Sequence, residues 1–328
     1  MNIRDYLTEE EIGEFRIIER NFSKDEGNLS VGLANIHAIV PGIEKNKAKI
    51  VEAAKVLKNK GANIIVFPEF CLAGYFWDDE EACWSYMDEA VTDKHWDWVK
   101  DELESLLDTG LQFIIFNNIR KGPKKKYMNS TYIINKKIDY KNPKYIYDKT
   151  FLPGIENTYT ETGKTDRLVI DTEWGSFGFT TCYDFCFSQL LQEYAAVDNV
   201  DAIIQIASWR GSSIRDYPGV NIKTDNYYGY LWDIFMASRS ATNQVWVISA
   251  NAVGIHGING ARFWGGSGVW APSGMKIVQG SHGNDELLII HNIDIKGQKE
   301  FEKDDFDYSL DFNKIYKQIK GKRSFTRI

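Results

Sequence analysis

Cysteine and histidine are both scarce in this chain, which has four cysteines and five histidines among 328 residues. Four cysteines in so long a chain do not make the dense framework of a disulfide-stabilised secreted domain. No two of them are spaced as CxxC, so a structural zinc site is not expected. The four positions are Cys71, Cys83, Cys182 and Cys186.

Long apolar runs are also missing from the sequence. No uninterrupted apolar segment reaches the length that crosses a bilayer, and residues 1–22 are charged throughout, without the apolar centre of a signal peptide. The sequence therefore predicts a cytoplasmic protein with reduced thiols. Acidic residues outnumber basic ones, 46 to 39, for a net charge of −7. Such a balance argues against nucleic acid and membrane as partners, because both favour basic surfaces.

Apolar residues are plentiful but come in short segments. They make up 43% of the chain, which is enough for a sizeable core. From residue 29 onward, short apolar strands mix with amphipathic helices, which predicts one α/β domain over residues 29–295 with helices covering its sheets. Residues 1–28 are polar and predict an appended helix or arm, and residues 296–328 form a charged tail.

The boundaries of the predicted elements follow from hydrophobic periodicity and from turn residues. Apolar residues at helical spacing predict helices over 41–60, 94–107, 187–197 and 226–242. Short apolar runs predict strands, among them those over 29–38, 63–67, 111–116, 130–134, 144–148, 167–171, 177–181, 201–207, 245–250 and 287–292.

Three reactive side chains each follow the end of a predicted strand. Glu69 comes after NIIVFP, Lys149 after KYIYD and Cys182 after SFGFTT. Ligands of helix-covered sheets tend to bind at the carboxyl ends of strands, so these three side chains are candidates for one site. Each taken alone also has a plain structural explanation, as a solvated loop residue or as a small buried thiol.

Together, the three side chains suit a thiol hydrolase. A cysteine nucleophile needs a base for its proton or a neighbour that lowers its pKa, and a carboxylate and an ammonium group supply these two functions. Amide hydrolysis also requires stabilisation of the negative oxygen that develops on the tetrahedral carbon. Lys149 and the backbone N–H of Tyr183 are the candidates for that role. No histidine is needed, and the five histidines lie outside these segments.

The three segments resemble the motifs of the nitrilase superfamily, the carbon–nitrogen hydrolases, whose Glu–Lys–Cys triad is carried on separated motifs. Glu69 matches the first in NIIVFPEFCLAGY, Lys149 the second in YDKTFLPGIENTYTETG and Cys182 the third in GFTTCYDFCF. Glu156, in the second segment, resembles a further family glutamate that helps to orient the site. The resemblance covers roughly residues 29–295 and extends to three supporting segments, IASWRG, RSATNQVWVISANAVG and GGSGVWAPSG.

This resemblance implies an α-β-β-α sandwich that assembles as a homodimer or larger homo-oligomer, with the tail 296–328 at the subunit interface. It implies hydrolysis of a non-peptide amide through a thioester on Cys182, without metal or organic cofactor. The substrate would be a small-molecule amide or N-carbamoyl compound, and Tyr75 and Trp209 are candidates for its pocket, although a core position explains each equally well. Tyr183 stands where true nitrilases commonly carry Trp, which favours an amidase or an N-carbamoyl amidohydrolase. A nitrilase and acyl transfer to another amine stay open.

Two further hypotheses belong to other functional classes. The family patterns CYDxxFPE and RAxEN are altered here at Ser188, Gln189 and Thr242, which permits a catalytically silent binding protein on the same fold. The spacing of Cys182 and Cys186 permits a redox-sensing thiol pair. The intact triad favours the hydrolase over both.

Overall fold

Eighteen strands lie in the part of the chain described by a computed structural model, residues 7–23, 27–123, 126–163, 167–219 and 223–316. In chain order they are β1 (Leu7–Ile12), β2 (Phe15–Asn21), β3 (Leu29–Asn35), β4 (Ile64–Val66), β5 (Phe113–Lys121), β6 (Tyr127–Ile134), β7 (Ile146–Asp148), β8 (Val169–Asp171), β9 (Ser176–Thr181), β10 (Ala202–Ala207), β11 (Arg215–Asp216), β12 (Lys223–Thr224), β13 (Trp246–Asn251), β14 (Val253–Ile255), β15 (Arg262–Trp264), β16 (Gly268–Trp270), β17 (Lys276–Gln279) and β18 (Glu286–Ile293).

The α-helices of the same residues differ widely in length, from single turns to two helices of 17 residues. None of them is long and apolar enough to span a bilayer. They are α1 (Ile43–Asn59), α2 (Glu80–Ala90), α3 (Trp96–Trp98), α4 (Glu156–Tyr159), α5 (Ser188–Ala196), α6 (Tyr227–Asn243), α7 (Ile295–Lys303) and α8 (Tyr308–Asp311).

Two mixed sheets form the centre of the fold. The larger has eight strands in the order β1-β2-β18-β3-β4-β5-β6-β7, and the smaller has six in the order β17-β16-β13-β10-β9-β8. β3, β4 and β5 are parallel neighbours in the first sheet, as are β9, β10 and β13 in the second. Parallel neighbours place their carboxyl ends at one edge, and that edge of each sheet contributes to the site described below.

Alternate side chains of the central strands face different layers, because successive residues of a strand point to opposite sides. In β10, Ala202, Ile204 and Ile206 belong to the core between the two sheets. Ile203 and Ala207 point the other way and pack with residues of α5 and α6. The larger sheet shows the same alternation, with its outer face against α1. The four layers are the predicted α-β-β-α sandwich, which is thus confirmed.

The amino-terminal segment differs from its prediction. Within residues 1–28, the described part forms the antiparallel hairpin β1–β2 rather than a helix, and β2 pairs in parallel with β18. Of the predicted helix or arm, the helix is not found in that described part, and Phe15 and Ile17 of the hairpin are fully buried on the outer face of the sheet. β18 lies between β2 and β3, so strands from the two ends of the chain are neighbours. The domain boundary at residue 29 stays a prediction.

The four helices predicted from residue 41 onward are found, with one difference in detail, while α2 and the short α4 had no prediction. The helix predicted over 94–107 begins as α3 and continues through a π-helical turn, Val99–Leu103, and a 3-10 turn, Glu104–Leu106. The tail beyond residue 296 includes most of α7 and all of α8, and α7 begins with an Ile295 carbonyl that accepts from the Trp246 indole at 3.1 Å. An interface role for the tail stays a prediction, and residues 317–328 lie outside the described part.

Candidate active site

The predicted catalytic side chains come from both sheets and meet at their edges. Glu69 lies three residues after β4, Lys149 follows β7, and Cys182 follows β9. The backbone N–H of Glu69 donates to the Ala207 carbonyl at the end of β10, at 3.3 Å, and so links the two sheets. The site is therefore built where the sandwich opens at one end.

Lys149 lies between two carboxylates in a fully buried cluster. Its Nζ donates to Oε1 of Glu69 at 2.9 Å and to Oε2 of Glu156 at 2.6 Å, and all three side chains are 0% exposed. Burial alone lowers the pKa of Lys149, but the charges of Glu156 and Glu69 outweigh burial and raise that pKa well above its ordinary value. The lysine is therefore a fixed ammonium group.

Two residues that the sequence analysis missed complete the hydrogen bonding of Glu69. Nδ2 of Asn129 donates to Oε1 of Glu69 at 2.7 Å and to Oε1 of Glu156 at 2.8 Å. The backbone N–H of Ser208 donates to Oε2 of Glu69 at 2.7 Å. A signal for Asn129 does exist in the sequence, since Asn129–Thr131 is a polar run in a strand that is buried at every position. Nothing in the sequence marks a backbone donor such as that of Ser208.

Glu156 has a donor of its own on the cavity side. The Tyr75 hydroxyl donates to Oε2 of Glu156 at 3.2 Å. Burial raises the pKa of Tyr75 well above its ordinary value, and the charge of Glu156 adds to this, so the phenol stays protonated. Burial also raises the pKa of Glu156 itself, against the opposing effect of Lys149. The two carboxylates thus share one lysine and one asparagine but differ in their remaining donors.

Cys182 adopts a backbone conformation that is uncommon for a non-glycine residue. Its φ is 51°, in the left-handed region, and its side chain reaches the cavity with a relative exposure of 8%. Such strain persists only where surrounding contacts hold it. Burial raises the pKa of the Cys182 thiol well above its ordinary value, and the charge of Glu69 raises it further, with Lys149 opposing. The thiol is therefore neutral in the resting site.

Asp184 braces the turn that carries Cys182. Its Oδ2 accepts from the Thr181 N–H at 3.0 Å and from the Tyr147 hydroxyl at 2.8 Å, and its Oδ1 accepts from the Phe151 N–H at 2.7 Å. Phe151 lies two residues beyond Lys149, so one carboxylate ties the lysine loop to the cysteine turn. Burial raises the pKa of Asp184 from 3.8 to about 6.

A cavity of about 430 Å³ opens beside Cys182. Tyr75, Trp209 and Tyr183, all predicted site residues, line it, and so does Cys186. Trp209 is mostly buried and donates its indole N–H to the Tyr228 carbonyl at 2.8 Å. In the described ranges, no group of three or more His, Cys, Asp or Glu side chains is placed to hold a metal ion. The remaining lining is mixed and includes the aromatic Phe76 and Phe263 and the charged Asp78 and Arg210.

Comparison with known proteins gives a family match over most of the chain. The family model described as Carbon-nitrogen hydrolase matches residues 30–302. A chloroplastic omega-amidase of Arabidopsis thaliana is 29% identical over 148 residues, which cover 44% of this chain. The matched segment spans 35% of the length of that relative, so this chain corresponds to about a third of it.

Solved structures show the same fold at low sequence identity. A carbon–nitrogen hydrolase from Helicobacter pylori G27 superposes with a TM-score of 0.72 at 18% identity, covering 90% of this chain and 99% of that one. An amidase from Nesterenkonia sp. has a TM-score of 0.69 at 16% identity, covering 92% and 99% of the two chains.

Proposed function

The chain belongs to the carbon–nitrogen hydrolase family, and from this premise we propose that it hydrolyses a non-peptide amide through a thioester on Cys182. The contact of Lys149 with Glu69, buried beside a cavity that exposes Cys182, is the observation that carries the proposal. A base and a fixed positive charge lie close behind Cys182, which is the member of the three that lines the cavity.

Charge balance determines where the thiol proton goes. With Lys149 positive and the two glutamates negative, the cluster already carries one excess negative charge. A preformed thiolate would add a second negative charge on a side chain that is only 8% exposed, which is costly. The proton therefore passes from Cys182 to Glu69 as the sulfur–carbon bond forms, and the thiol becomes a nucleophile only when substrate is present.

The rest of the cycle uses the same groups. The carbonyl oxygen of the substrate becomes negative as sulfur attacks, and the Lys149 ammonium and the Tyr183 N–H stabilise it. The carbon–nitrogen bond then breaks, and Glu69 returns its proton to the departing nitrogen, which leaves as ammonia or an amine. Water attacks the thioester with Glu69 as base, the carbon–sulfur bond breaks, and the sulfur recovers a proton as the carboxylic acid is released.

The size and lining of the cavity favour a small-molecule amide or N-carbamoyl compound. Its aromatic residues suit an apolar portion of the substrate, and its charged residues suit a polar end. Tyr75 and Glu156 would orient the acyl group, and Trp209 would form part of the wall. We propose an amidase first, with an N-carbamoyl amidohydrolase or a nitrilase as alternatives, acting in the cytoplasm as a homo-oligomer.

Ammonia release tests this function directly. The protein would be incubated with primary amides, N-carbamoyl compounds and nitriles, beside Cys182→Ala and a matched Cys186→Ala variant, which removes the other cysteine that lines the cavity. We expect release that is abolished in Cys182→Ala and retained in Cys186→Ala, and the best substrate class decides the branch. Absence of release from every compound, or release that survives Cys182→Ala, contradicts the proposal.

The competing hypotheses have their own signatures in the same samples. A silent binding protein would retain compounds from the panel without converting them. A redox-sensing pair would form a reversible Cys182–Cys186 disulfide after mild peroxide, which mass spectrometry of the intact peptide would detect.

A further inference from the structure

A stripe of polar side chains crosses three neighbouring strands directly behind the cysteine turn. Gln205 of β10 is in register with Thr180 of β9 and with Ser249 of β13. All three side chains are buried, and Gln205 and Ser249 are 0% exposed. The residues that flank Gln205 and Ser249 in their strands are apolar core residues: Ile204, Ile206, Ile248 and Ala250. Burying polar groups costs free energy unless they are hydrogen-bonded, so the partners of these three side chains indicate what the stripe does.

The amide of Gln205 is held at both ends. The Thr180 hydroxyl donates to its Oε1 at 2.6 Å, which fixes the orientation of the amide, because only the oxygen can accept that proton. Its Nε2 therefore faces the other way and donates to the backbone carbonyl of Cys182 at 3.1 Å. By contrast, the Ser249 hydroxyl has no hydrogen-bond partner among the described residues.

A bond to the Cys182 carbonyl also sets the direction of the next N–H. The peptide between Cys182 and Tyr183 is planar, and in a trans peptide the C=O and N–H point in opposite directions. The Gln205 side chain is buried, and its hydrogen bond directs the Cys182 carbonyl toward β10. The Tyr183 N–H is then directed away from the sheet, on the side where Cys182 and Tyr183 line the cavity.

We infer that Gln205 is a positioning residue that holds the Cys182–Tyr183 peptide so that the Tyr183 N–H faces the developing oxyanion. The inference rests on the proposed function, because an oxyanion forms only if the protein cleaves a carbonyl compound. It also accounts for the conformation of Cys182, whose φ of 51° needs support from outside the turn. The Thr180 hydroxyl acts one step further away, through the orientation of the Gln205 amide.

Gln205→Met tests this role, since methionine keeps the length of the side chain but has no N–H to donate. Loss of a whole oxyanion donor typically costs about 100- to 1000-fold in kcat, so a donor that is only misdirected should cost about 10- to 100-fold. We expect that fall in kcat for the best amide, with KM within about threefold of wild type. Alkylation of Cys182 by iodoacetamide needs no oxyanion donor, so its rate should also stay within about threefold.

Two further variants separate positioning from general damage. Ser249→Ala alters the same buried stripe without touching the Cys182 carbonyl and should keep kcat near wild type. Thr180→Val leaves Gln205 in place but frees its amide, so it should lower kcat by less than Gln205→Met does. It also carries the test if Gln205→Met does not fold.

Each remaining outcome overturns the inference in a recognisable way. An unchanged kcat in Gln205→Met means that the peptide is held without this bond. A parallel fall in kcat and in the alkylation rate means that Gln205 supports Cys182 or the fold in general. If wild-type protein releases no product from any amide, the proposed function itself fails, and the role of Gln205 fails with it.

Discussion

Two lysines of this protein each lie between two glutamates, one at the surface and one in the site. Lys60, at the end of α1, contacts Glu10 and Glu19 of the amino-terminal hairpin, and all three side chains are at least one-quarter exposed. Lys149 has the same two-carboxylate environment without any exposure. Each cluster has two glutamates for one lysine, but the Lys149 cluster is fully buried and its carboxylates accept further hydrogen bonds from Asn129, Tyr75 and the Ser208 N–H.

That difference decides what each cluster does. At the surface, water and salt screen the excess charge, and the ion pairs contribute little to stability. In the interior, the excess charge is felt by every neighbouring titratable group. The raised pKa values of Cys182 and Glu156 are the consequence, although burial is the first cause of each. The same arrangement of charges therefore contributes weak ion pairs around Lys60 and shifts the pKa values of neighbouring groups around Lys149.

Removing the lysine from each cluster tests this comparison, and it should give the largest effect of the variants considered. Lys149→Met leaves two carboxylates buried without their cation, so we expect the free energy of unfolding to fall by about 3 to 5 kcal/mol, together with loss of amide hydrolysis. Lys60→Met should lower the free energy of unfolding by at most about 1 kcal/mol and leave hydrolysis unchanged. Urea unfolding and ammonia release measure both effects. Equal losses of stability in the two variants would contradict the role assigned to burial.

Asp184 sharpens the comparison, because it is a buried carboxylate that accepts three hydrogen bonds and contacts no cation among the residues that the structure describes. Its pKa is raised from 3.8 to about 6 in the folded protein. Between those two values the folded state binds the proton that the unfolded chain releases. The contribution of Asp184 to stability is therefore full below about pH 4 and is lost as the pH rises through about 6, by about 3 kcal/mol.

Asp184→Asn isolates that contribution. The variant lacks the titrating group, so the difference in unfolding free energy between wild type and variant should shift in favour of the variant as the pH rises from about 4 to 7. Urea unfolding at several pH values measures the shift. A difference that stays constant with pH would show that the carboxylate titrates alike in the folded and unfolded chain.

The smallest expected effect concerns a charge at the cavity wall. Arg210 is exposed and lines the cavity, so water screens its interaction with a substrate. Arg210→Gln should raise KM about two- to fivefold for an amide whose acyl group carries a carboxylate, which corresponds to the range of exposed ion pairs, and should leave a neutral amide unchanged. Asp78→Asn is the control of opposite sign. Equal changes for neutral and anionic amides would indicate altered shape rather than altered charge.

The sequence carried more information about Glu69, Lys149 and Cys182 than about the residues that contact them. Glu69, Lys149 and Cys182 follow apolar strands with parallel or antiparallel partners, and strand ends of one edge converge. Sequence position alone could not supply the hydrogen bonds of Asn129 or of the Ser208 N–H, because each depends on how two distant strands are aligned. The catalytic roles of the three residues stay predictions, while their placement around one cluster is now described.

The polarity of the amino-terminal residues concealed the two strands β1 and β2. Residues 7–21 contain seven charged side chains, and isolated Phe and Ile residues between them gave no clear period. β1 pairs with β2 across a short turn, and β2 pairs on its other side with β18, a partner more than 260 residues away. Such pairing leaves no local signal, since β-propensity depends on the neighbouring strand as much as on the residue itself.

The position of β18 between β2 and β3 has a consequence for synthesis of the chain. A ribosome has released every residue of the catalytic cluster well before it reaches residue 286, where β18 begins. Until then the facing edges of β2 and β3 have no partner, and unpaired edges bind other strands readily. About 250 residues separate β3 from β18, so translation at about 5 to 20 residues per second leaves that gap open for tens of seconds. Newly made chains are therefore most prone to aggregate after Glu69, Lys149 and Cys182 have been synthesised but before β18 joins β2 to β3 in the larger sheet.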